Sequence, residues 1–217
     1  MEQTGAVEIT SEAELRELLG PVAPVAAAKE RRSLHEHHRQ WIARSPLCLI
    51  GTSAADGGCD VSPKGDPPGF AKVLDDTTLV IPDRPGNRRA DSYRNILANP
   101  RVGLLFLVPG RGDTLRVNGR ARLLRDAPFF DTMTVKGHRP ALALVVEAEE
   151  IYFHCSRAFL RSGLWRTDTW DPEAAPSRAS ISKALEKPEK SLEKPEKSLE
   201  ELERYYGPDY GRDDLYS

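Results

Sequence analysis

The sequence predicts a mainly β fold, a small closed antiparallel barrel of about six strands with flanking helices. Short apolar runs of strand length recur between residues 47 and 155, and turns rich in proline and glycine separate them. Most of these turns are short enough for hairpins, which join antiparallel strands, whereas parallel strands need a long crossover. The chain of 217 residues is long enough for one such domain with extensions.

The chain divides into three predicted parts. Residues 1–43 are expected to form N-terminal helices that pack on the barrel, residues 44–166 the barrel, and residues 167–217 a charged, proline-containing C-terminal arm. In the arm, the heptapeptide Leu-Glu-Lys-Pro-Glu-Lys-Ser at 185–191 is repeated at 192–198, and the proline of each copy interrupts a regular helix. Mixed charge and few apolar residues therefore predict a mobile arm, to which we assign no chemistry.

Helices outside the barrel are predicted from capping residues and apolar spacing. Ser11 opens a capping box and a short helix that ends before Gly20. A second helix is expected over about 25–43, and a third over 198–206. The second helix is expected to bury three apolar side chains, Leu34, Trp41 and Ile42.

Neither the histidines nor the cysteines form a metal-binding pattern. Three histidines of the second helix lack carboxylate or cysteine partners at ligand spacing, so we interpret them as solvated: His35, His37 and His38. Three widely spaced cysteines lie in or beside apolar runs and are interpreted as small buried side chains: Cys48, Cys59 and Cys155. Free cysteines are typical of a reducing compartment, and the sequence has neither a signal-peptide pattern nor a long apolar run. We therefore expect a cytoplasmic protein that does not cross a membrane.

Strands are assigned to the apolar runs. In chain order they cover residues 47–52, 60–63, 70–74, 78–81, 102–108, 114–123 and 141–155. The run at 102–108 is continuous and predicts a strand buried on both faces. The run at 114–123 alternates apolar and polar residues, so one of its faces is polar. A polar helix is expected at 127–134, before the last strand.

One helix start stands out for its charges. A helix is predicted from Asn87, as the N-cap, to the Asn-Pro pair at 99–100, and Arg88 and Arg89 would occupy its first turn. The positive end of the helix dipole disfavours cations there unless they share an anion. With Ser92 nearby, this turn is predicted to bind a phosphate group.

The charge distribution also favours an anionic ligand. The formal net charge is -2, which gives no reason to expect nucleic acid or an anionic membrane as a partner. Between residues 84 and 125, however, ten arginines stand against two aspartates. The sequence has no dinucleotide-binding glycine pattern, P-loop, serine-hydrolase elbow or paired-histidine zinc motif. From the residues alone, we expect a protein that binds a phosphorylated small ligand.

Three segments together resemble the pyridoxamine 5'-phosphate oxidase-like flavoproteins. They are DVSPKGDPPG at 60–69, IPDRPGNRRADS at 81–92 and LRVNGRA at 115–121, and the likeness extends over about 39–165. The resemblance implies a split β-barrel that binds FMN at a homodimer interface. It also implies an FMN-dependent oxidoreductase that acts on an unidentified small molecule, with a small-molecule substrate or electron donor as its partner.

The resemblance assigns cofactor contacts residue by residue. It implies that FMN is contacted by Val61, Ser62, Pro63, Lys64, Ile81, Pro82, Asp83, Asn87, Arg88, Arg89, Ser92, Thr114, Arg116 and Trp165. The first seven lie along the flavin ring and ribityl chain, and the next three hold the phosphate with Ser92 beside them. Thr114 takes the place of a glutamine that, in the oxidase, reaches the flavin from the partner subunit. Arg116 or Lys64 would stabilise the anionic reduced flavin, and Trp165 would cover the site. No catalytic side chain is assigned.

A second class of function fits the same resemblance. The oxidase holds its substrate with a C-terminal set of arginine and histidine that has no counterpart after Trp165, so vitamin B6 oxidation is not the expected reaction. The alternative to an enzyme is a non-catalytic carrier of flavin, or of haem, with the same barrel. A haem protein needs an axial ligand, and His138 and His154 are the histidines of the barrel region.

Overall fold

The structure is a computed structural model that describes residues 5–185, 197–207, 210 and 215–216. Its strands are β1 (Leu47–Ser53), β2 (Cys59–Gly65), β3 (Lys72–Val73), β4 (Thr78–Pro82), β5 (Arg101–Leu107), β6 (Thr114–Leu124) and β7 (Ala143–His154). They form one antiparallel sheet in the order β2-β1-β5-β6-β7-β4-β3. The long pair β6 and β7 lies at the centre of this order and joins its two halves.

The sheet curls around one core, which makes the fold a split barrel. Ile50 on β1 and Leu79 on β4 belong to the same buried cluster, although three strands separate β1 from β4 in the sheet. Both side chains are fully buried, as are Phe106 and Leu115 between them. Burying a side chain of this size stabilises the fold by about 1.5–3 kcal/mol. The predicted fold class is confirmed, with seven strands within the described residues because the two-residue β3 pairs with β4.

The helices precede, interrupt and follow the strands along the chain. They are α1 (Glu12–Leu19), α2 (Pro24–Ala27), α3 (Glu36–Arg44), α4 (Asp91–Ala98), α5 (Arg157–Ser162), α6 (Arg178–Leu185) and α7 (Leu199–Tyr205), with 3-10 turns at Phe130–Met133, Thr167–Thr169 and Pro172–Ala174. Ser11 caps this helix as predicted, since the Glu14 N–H donates to Ser11 Oγ at 3.2 Å, but the reciprocal half of the capping box is absent because the Glu14 carboxylate accepts from the Thr10 N–H at 2.9 Å. The short helix predicted after the repeats is also present, as α7.

The C-terminal arm is more ordered in its described parts than the composition indicates. The sequence reasoning missed α6, which packs against α7 and buries Ala179, while α7 buries Leu202. The prolines of the repeats fall within 186–196, which lie outside the described residues. The division of the chain at residues 44 and 166 therefore stays a prediction.

The second predicted helix is wrong in its extent. Two separate helices, α2 and α3, replace it, and the segment between them is not helical. The backbone of Arg31 forms a two-way bridge with Ile151, with N···O distances of 3.0 and 2.7 Å, which holds this segment extended beside β7. Helix α3 then starts afresh at a capping box of His35 and His38. The prediction that Leu34, Trp41 and Ile42 are buried is confirmed.

Two further local predictions are corrected. Strand β5 is buried on one face, while Gly103, Leu105 and Leu107 on its other face are only half-buried, so the run is not covered on both sides. The helix expected at 127–134 is a single 3-10 turn, because Phe130 and Met133 both turn inward and are almost fully buried under β4 and β7. Its prediction as a polar surface helix overlooked these two side chains.

Gly119 allows β6 to pass close to β7. The register between the two strands shifts at Asn118 and Gly119, where a β-bulge leaves Glu149 without a partner on β6. A Cβ atom at Gly119 would lie 2.0 Å from the carbonyl oxygen of Glu147. No other residue type fits without moving the backbone, so the glycine of the third motif has a structural role.

The histidine and cysteine interpretations hold in part. His38 is buried rather than solvated, and its ring lies 5.4 Å from that of Phe153. Cys48 is buried as expected, and burial raises the pKa of its thiol to about 12, whereas Cys59 and Cys155 are exposed. The described residues contain no group of three or more acidic, histidine or cysteine side chains placed to hold a metal ion. Among the same residues, no helix has the length and apolar character needed to cross a membrane.

Candidate functional site

A deep cleft lies where β2, the end of β4 and the start of α4 meet. Its volume is about 1180 Å³, and the chain between 84 and 91 forms one wall. Residues 137–142 and the penultimate residue, Tyr216, also line it. Ligand pockets in proteins commonly have volumes of roughly 300–1,000 Å³, so this cleft has room for a cofactor-sized molecule.

The start of α4 differs from the sequence prediction. The helix begins at Asp91, and its N-cap is Ala90 in the left-handed region at φ 56°, not Asn87. The Asn87 side chain instead accepts a hydrogen bond from the Arg89 N–H at 3.0 Å, which closes a tight turn before the helix. Arg88 also has a positive φ of 58°. The two arginines thus precede the helix, and the argument that they face its dipole from the first turn is wrong.

The turn before α4 nevertheless offers donors to an anion. Backbone that alternates between right- and left-handed conformations tends to form a concave nest of N–H groups, and the first N–H groups of a helix have no partner within the helix. The Arg88 side chain is exposed and has no ion-pair or hydrogen-bond partner among the described residues. Arg89 differs, because its Nε lies 2.7 Å from Asp91 Oδ2.

Lys64, Asp83 and Tyr93 form a closed triangle in the cleft. The Lys64 ammonium donates to Asp83 at 3.1 Å and to the Tyr93 hydroxyl at 2.7 Å, and the Tyr93 hydroxyl donates to the same Asp83 oxygen. Burial, together with the nearby Asp83 carboxylate, raises the pKa of Tyr93 above its ordinary value. The triangle therefore holds Lys64 as a fixed cation whose charge is partly balanced by one carboxylate.

A second carboxylate fastens α4 to β2. Asp60 accepts hydrogen bonds from Ser92 Oγ at 2.5 Å and from Ser62 Oγ at 3.0 Å. Ser92 is buried, and its hydroxyl is used in this bond. The two serines predicted to contact a cofactor thus already share a protein acceptor, which sets the distance between the strand and the helix.

Arg84 is the most enclosed cation of the cleft. Its Nε lies 2.6 Å from Asp66 Oδ2, and its Nη2 donates to the backbone oxygen of Met133 at 2.7 Å. Its Nη1 atom is buried and has no hydrogen-bond partner among the described residues. A buried donor without a partner costs about 1–3 kcal/mol, and because Nη1 is inaccessible even from the empty cleft, a ligand there does not reach it.

The cleft brings together nine of the fourteen predicted site residues: Ser62, Pro63, Lys64, Pro82, Asp83, Asn87, Arg88, Arg89 and Ser92. Two of the others belong to the same strands but not to the cleft. Val61 is exposed on the opposite face of β2, since neighbouring strand residues point to opposite faces, and Ile81 is buried in the core. The cofactor contacts of all fourteen residues stay predictions.

The other three predicted residues lie elsewhere in the protomer. Thr114 is buried at the start of β6, beside the end of β7. Arg116 pairs with Glu150 on β7, and its guanidinium lies 5.3 Å from the centre of the Tyr152 ring. Trp165 donates from its indole to the Arg111 backbone oxygen at 2.7 Å. One protomer therefore does not bring these side chains to the cleft.

Among the cleft residues that sequence reasoning missed, four make the hydrogen bonds described in this structure: Asp60, Arg84, Tyr93 and Tyr216. The first three lie in or next to the segments that resemble the family. Their position beside predicted site residues was therefore the signal that could have identified them. Tyr216 is 150 positions from its hydrogen-bond partner Asp66, so no local pattern could have pointed to it.

The fold and the cleft define a class: split-barrel proteins with a cationic, cofactor-sized cleft beside the sheet edge. The family model for pyridoxamine 5'-phosphate oxidase matches residues 34–155, which is more than half of the chain. The chain belongs to this family, as the three sequence segments predicted. No curated protein matches the sequence.

Several solved structures resemble this chain at low identity. An FMN-binding protein from Syntrophomonas wolfei is 16% identical, with a TM-score of 0.47 over 66% of this chain and 96% of that one. HupZ from Group A Streptococcus is 17% identical, with a TM-score of 0.45 over 55% and 92%. HutZ, a haem storage protein from Vibrio cholerae, is 13% identical, with a TM-score of 0.39 over 56% and 93%. Likenesses at this level carry no argument about the ligand of this chain.

Proposed function

We propose that this protein binds FMN in the cleft and acts as an FMN-dependent oxidoreductase on a small molecule. The family supports the proposal, and one observation in the cleft carries it. Among the described residues, Arg88 has no ion-pair or hydrogen-bond partner, whereas each other Lys or Arg of the cleft is paired with a carboxylate: Lys64, Arg84, Arg89 and Arg139. The phosphate of a cofactor would supply the acceptor that Arg88 lacks.

The rest of the cleft fits FMN as well. An isoalloxazine ring needs apolar contacts, and Phe70, Pro63, Pro82 and Leu142 line the cleft. Its edge carries polar atoms, which match Lys64 and the hydroxyls on β2 and α4. Bound FMN supplies the hydride chemistry, which the protein's own side chains do not provide. Lys64, held by Asp83, would place a positive charge beside the ligand, and Arg88 would bind the phosphate.

A homodimer is part of the same proposal. Strands β1 and β5 present a half-buried apolar face formed by Leu47, Leu49, Leu105 and Leu107. Thr114 and Arg116, which the family resemblance assigns to the flavin, are placed away from the cleft of their own protomer. A second copy on this face would cover the leucines and receive Arg116, which is in register with Leu105, at its own cleft, whereas Thr114 is buried within its own chain. Light scattering at micromolar concentration tests this, and a flavin-loaded monomer would contradict it.

The visible absorbance spectrum of the purified protein tests the cofactor. The proposal expects a flavin spectrum that is bleached under anaerobic conditions by NADH, NADPH or a deazaflavin photoreductant, and that recovers with an oxidised small molecule or oxygen. Bleaching by the photoreductant alone would favour the non-catalytic flavin carrier. A Soret band would show that the cofactor is haem rather than FMN. His138, which lines the cleft, would then be the first axial ligand to test by substitution.

The control for this experiment compares two single arginine substitutions, both outside the strands of the barrel. Arg88→Ala should leave less flavin in the purified protein than wild type, whereas Arg94→Ala should not, because Arg94 is exposed on α4 and does not line the cleft. Equal flavin content in the two variants would show that Arg88 does not hold the cofactor.

A further inference from the structure

The penultimate residue of the chain lies in the cleft. The Tyr216 hydroxyl donates to Asp66 Oδ1 at 2.5 Å, and its ring is stacked on His138 with 6.0 Å between ring centres and 23° between planes. The cations Arg84 and Lys136 lie 5.7 and 5.6 Å from the ring centre. Four side chains from three distant parts of the barrel thus hold this one tyrosine.

The hydroxyl completes a buried polar network. The Asp66 side chain is 1% exposed, and its two oxygens are used separately, one by Arg84 and the other by Tyr216. A buried carboxylate oxygen without a donor is costly, so the tyrosine satisfies a group that the barrel itself leaves open. The bond to Asp66 also raises the pKa of Tyr216, which keeps the phenol protonated as a donor.

The ring narrows the cleft without filling it. With Tyr216 in place as a lining residue, about 1180 Å³ remain. That volume is enough for a cofactor-sized ligand, so the tyrosine acts as a wall and does not plug the site.

We propose that Tyr216 forms the outer wall of the cleft and slows the release of the flavin bound there, an inference that rests on the function proposed above. The aromatic ring covers the ligand, and the hydrogen bond to Asp66 fixes the ring in that position. Tyr216 is then part of the binding site.

Two substitutions separate the ring from the hydroxyl. Release of FMN is followed by the rise of free-flavin fluorescence after dilution of the loaded, full-length protein. Tyr216→Ala removes both contacts and should speed release by about tenfold or more, whereas Tyr216→Phe keeps the ring and should speed it less. Tyr210→Ala is the matched control, because Tyr210 contacts Tyr205 and Tyr206 and does not line the cleft.

A second readout does not depend on flavin. The six tyrosines are labelled with 3-fluorotyrosine, and the fluorine resonance of Tyr216 is identified by its loss in Tyr216→Phe. Asp66→Asn should shift this resonance in the ligand-free protein, and FMN should shift it in wild type, while the Tyr210 resonance stays in place in both experiments.

The outcomes are distinct for the two proposals. If wild type binds no flavin but Asp66→Asn shifts the Tyr216 resonance, the proposed cofactor is wrong. Tyr216 is then still a wall of the cleft, but of a cleft that takes a ligand other than flavin. If Asp66→Asn leaves the resonance unchanged, or if Tyr216→Ala releases FMN at the wild-type rate, Tyr216 is not a wall of the cleft. Tyr216→Phe serves as the folded variant in case Tyr216→Ala unfolds.

Discussion

The strongest test of the phosphate site is to remove Arg88 and Arg89, singly and together. Arg88 has no partner in the described residues, so a bond to the FMN phosphate costs no existing contact. Hydrogen bonds to charged groups contribute about 1.5–3 kcal/mol, which corresponds to roughly a tenfold to hundredfold loss of FMN affinity in Arg88→Ala. Arg89 already pairs with Asp91, so Arg89→Ala should lose less than Arg88→Ala.

Riboflavin is the internal control for this experiment, because it lacks the phosphate. Affinities for FMN and riboflavin are measured by fluorescence quenching, and thermal melting of the apo-protein checks the fold. The melting temperature should change little, since both arginines are exposed and alanine carries the same left-handed strain as arginine at position 88. Arg94→Ala should bind both flavins as wild type does.

Two results would refute the reasoning. If the double variant binds FMN as tightly as wild type, the arginines are ordinary surface charges and the phosphate lies elsewhere. If FMN and riboflavin weaken by the same factor, the arginines support the shape of the turn rather than the phosphate. Only a selective loss of FMN agrees with the proposal.

Three substitutions test how the scaffold is held, each by melting of the apo-protein. Gly119→Ala should destabilise the fold by at least about 1–3 kcal/mol because its Cβ meets the Glu147 backbone, whereas Gly86→Ala, with open space around it, should not. Tyr93→Phe should cost about 1–3 kcal/mol by leaving a half-buried carboxylate with one donor fewer, and unchanged melting would contradict the triangle. Burial, with nearby cations, lowers the pKa of His38 from its ordinary 6.5, so the unfolded chain binds more protons and stability should fall as pH drops below 6.5. His38→Gln keeps a capping partner and should reduce that fall, with the remainder coming from His154, whose pKa burial also lowers.

The barrel could be predicted from the sequence because the pattern of apolar and polar residues that marks a strand lies within a short stretch of the chain. The alternation along β6 records directly which side chains enter the core, and Leu115 and Val117 are indeed fully buried. Strand β5 shows the limit of this reasoning. An apolar run in the sequence shows that a strand is hydrophobic, but it does not show what covers each of its two faces. Leu105 is half-buried in one protomer, and the sequence alone could not tell a core face from a face open to a second copy.

The cleft was less predictable, for two physical reasons. The start of α4 depends on a choice between Asn87 as a helix cap and Asn87 as the acceptor of a tight turn, and both are good roles for an asparagine side chain. The left-handed conformations at Arg88 and Ala90 decide the choice, and neither residue type signals them. The contact of Tyr216 with Asp66 is non-local, so it exists only after the barrel has formed.

Asp91 gives the last prediction, because it would compete with the proposed phosphate for Arg89. The Asp91 carboxylate lies 2.7 Å from Arg89 and is placed in the first turn of α4, near the proposed phosphate. Asp91→Asn removes a negative charge beside the ligand and frees the arginine, so FMN should bind severalfold more tightly while riboflavin is unaffected. The helix loses a favourable acidic residue at its positive end, and the apo-protein should lose about 0.3–1 kcal/mol of stability. Weaker FMN binding in Asp91→Asn would mean that the carboxylate orients Arg89 for the phosphate rather than competing with it. An equal gain for riboflavin would place the effect on the flavin ring and away from the phosphate.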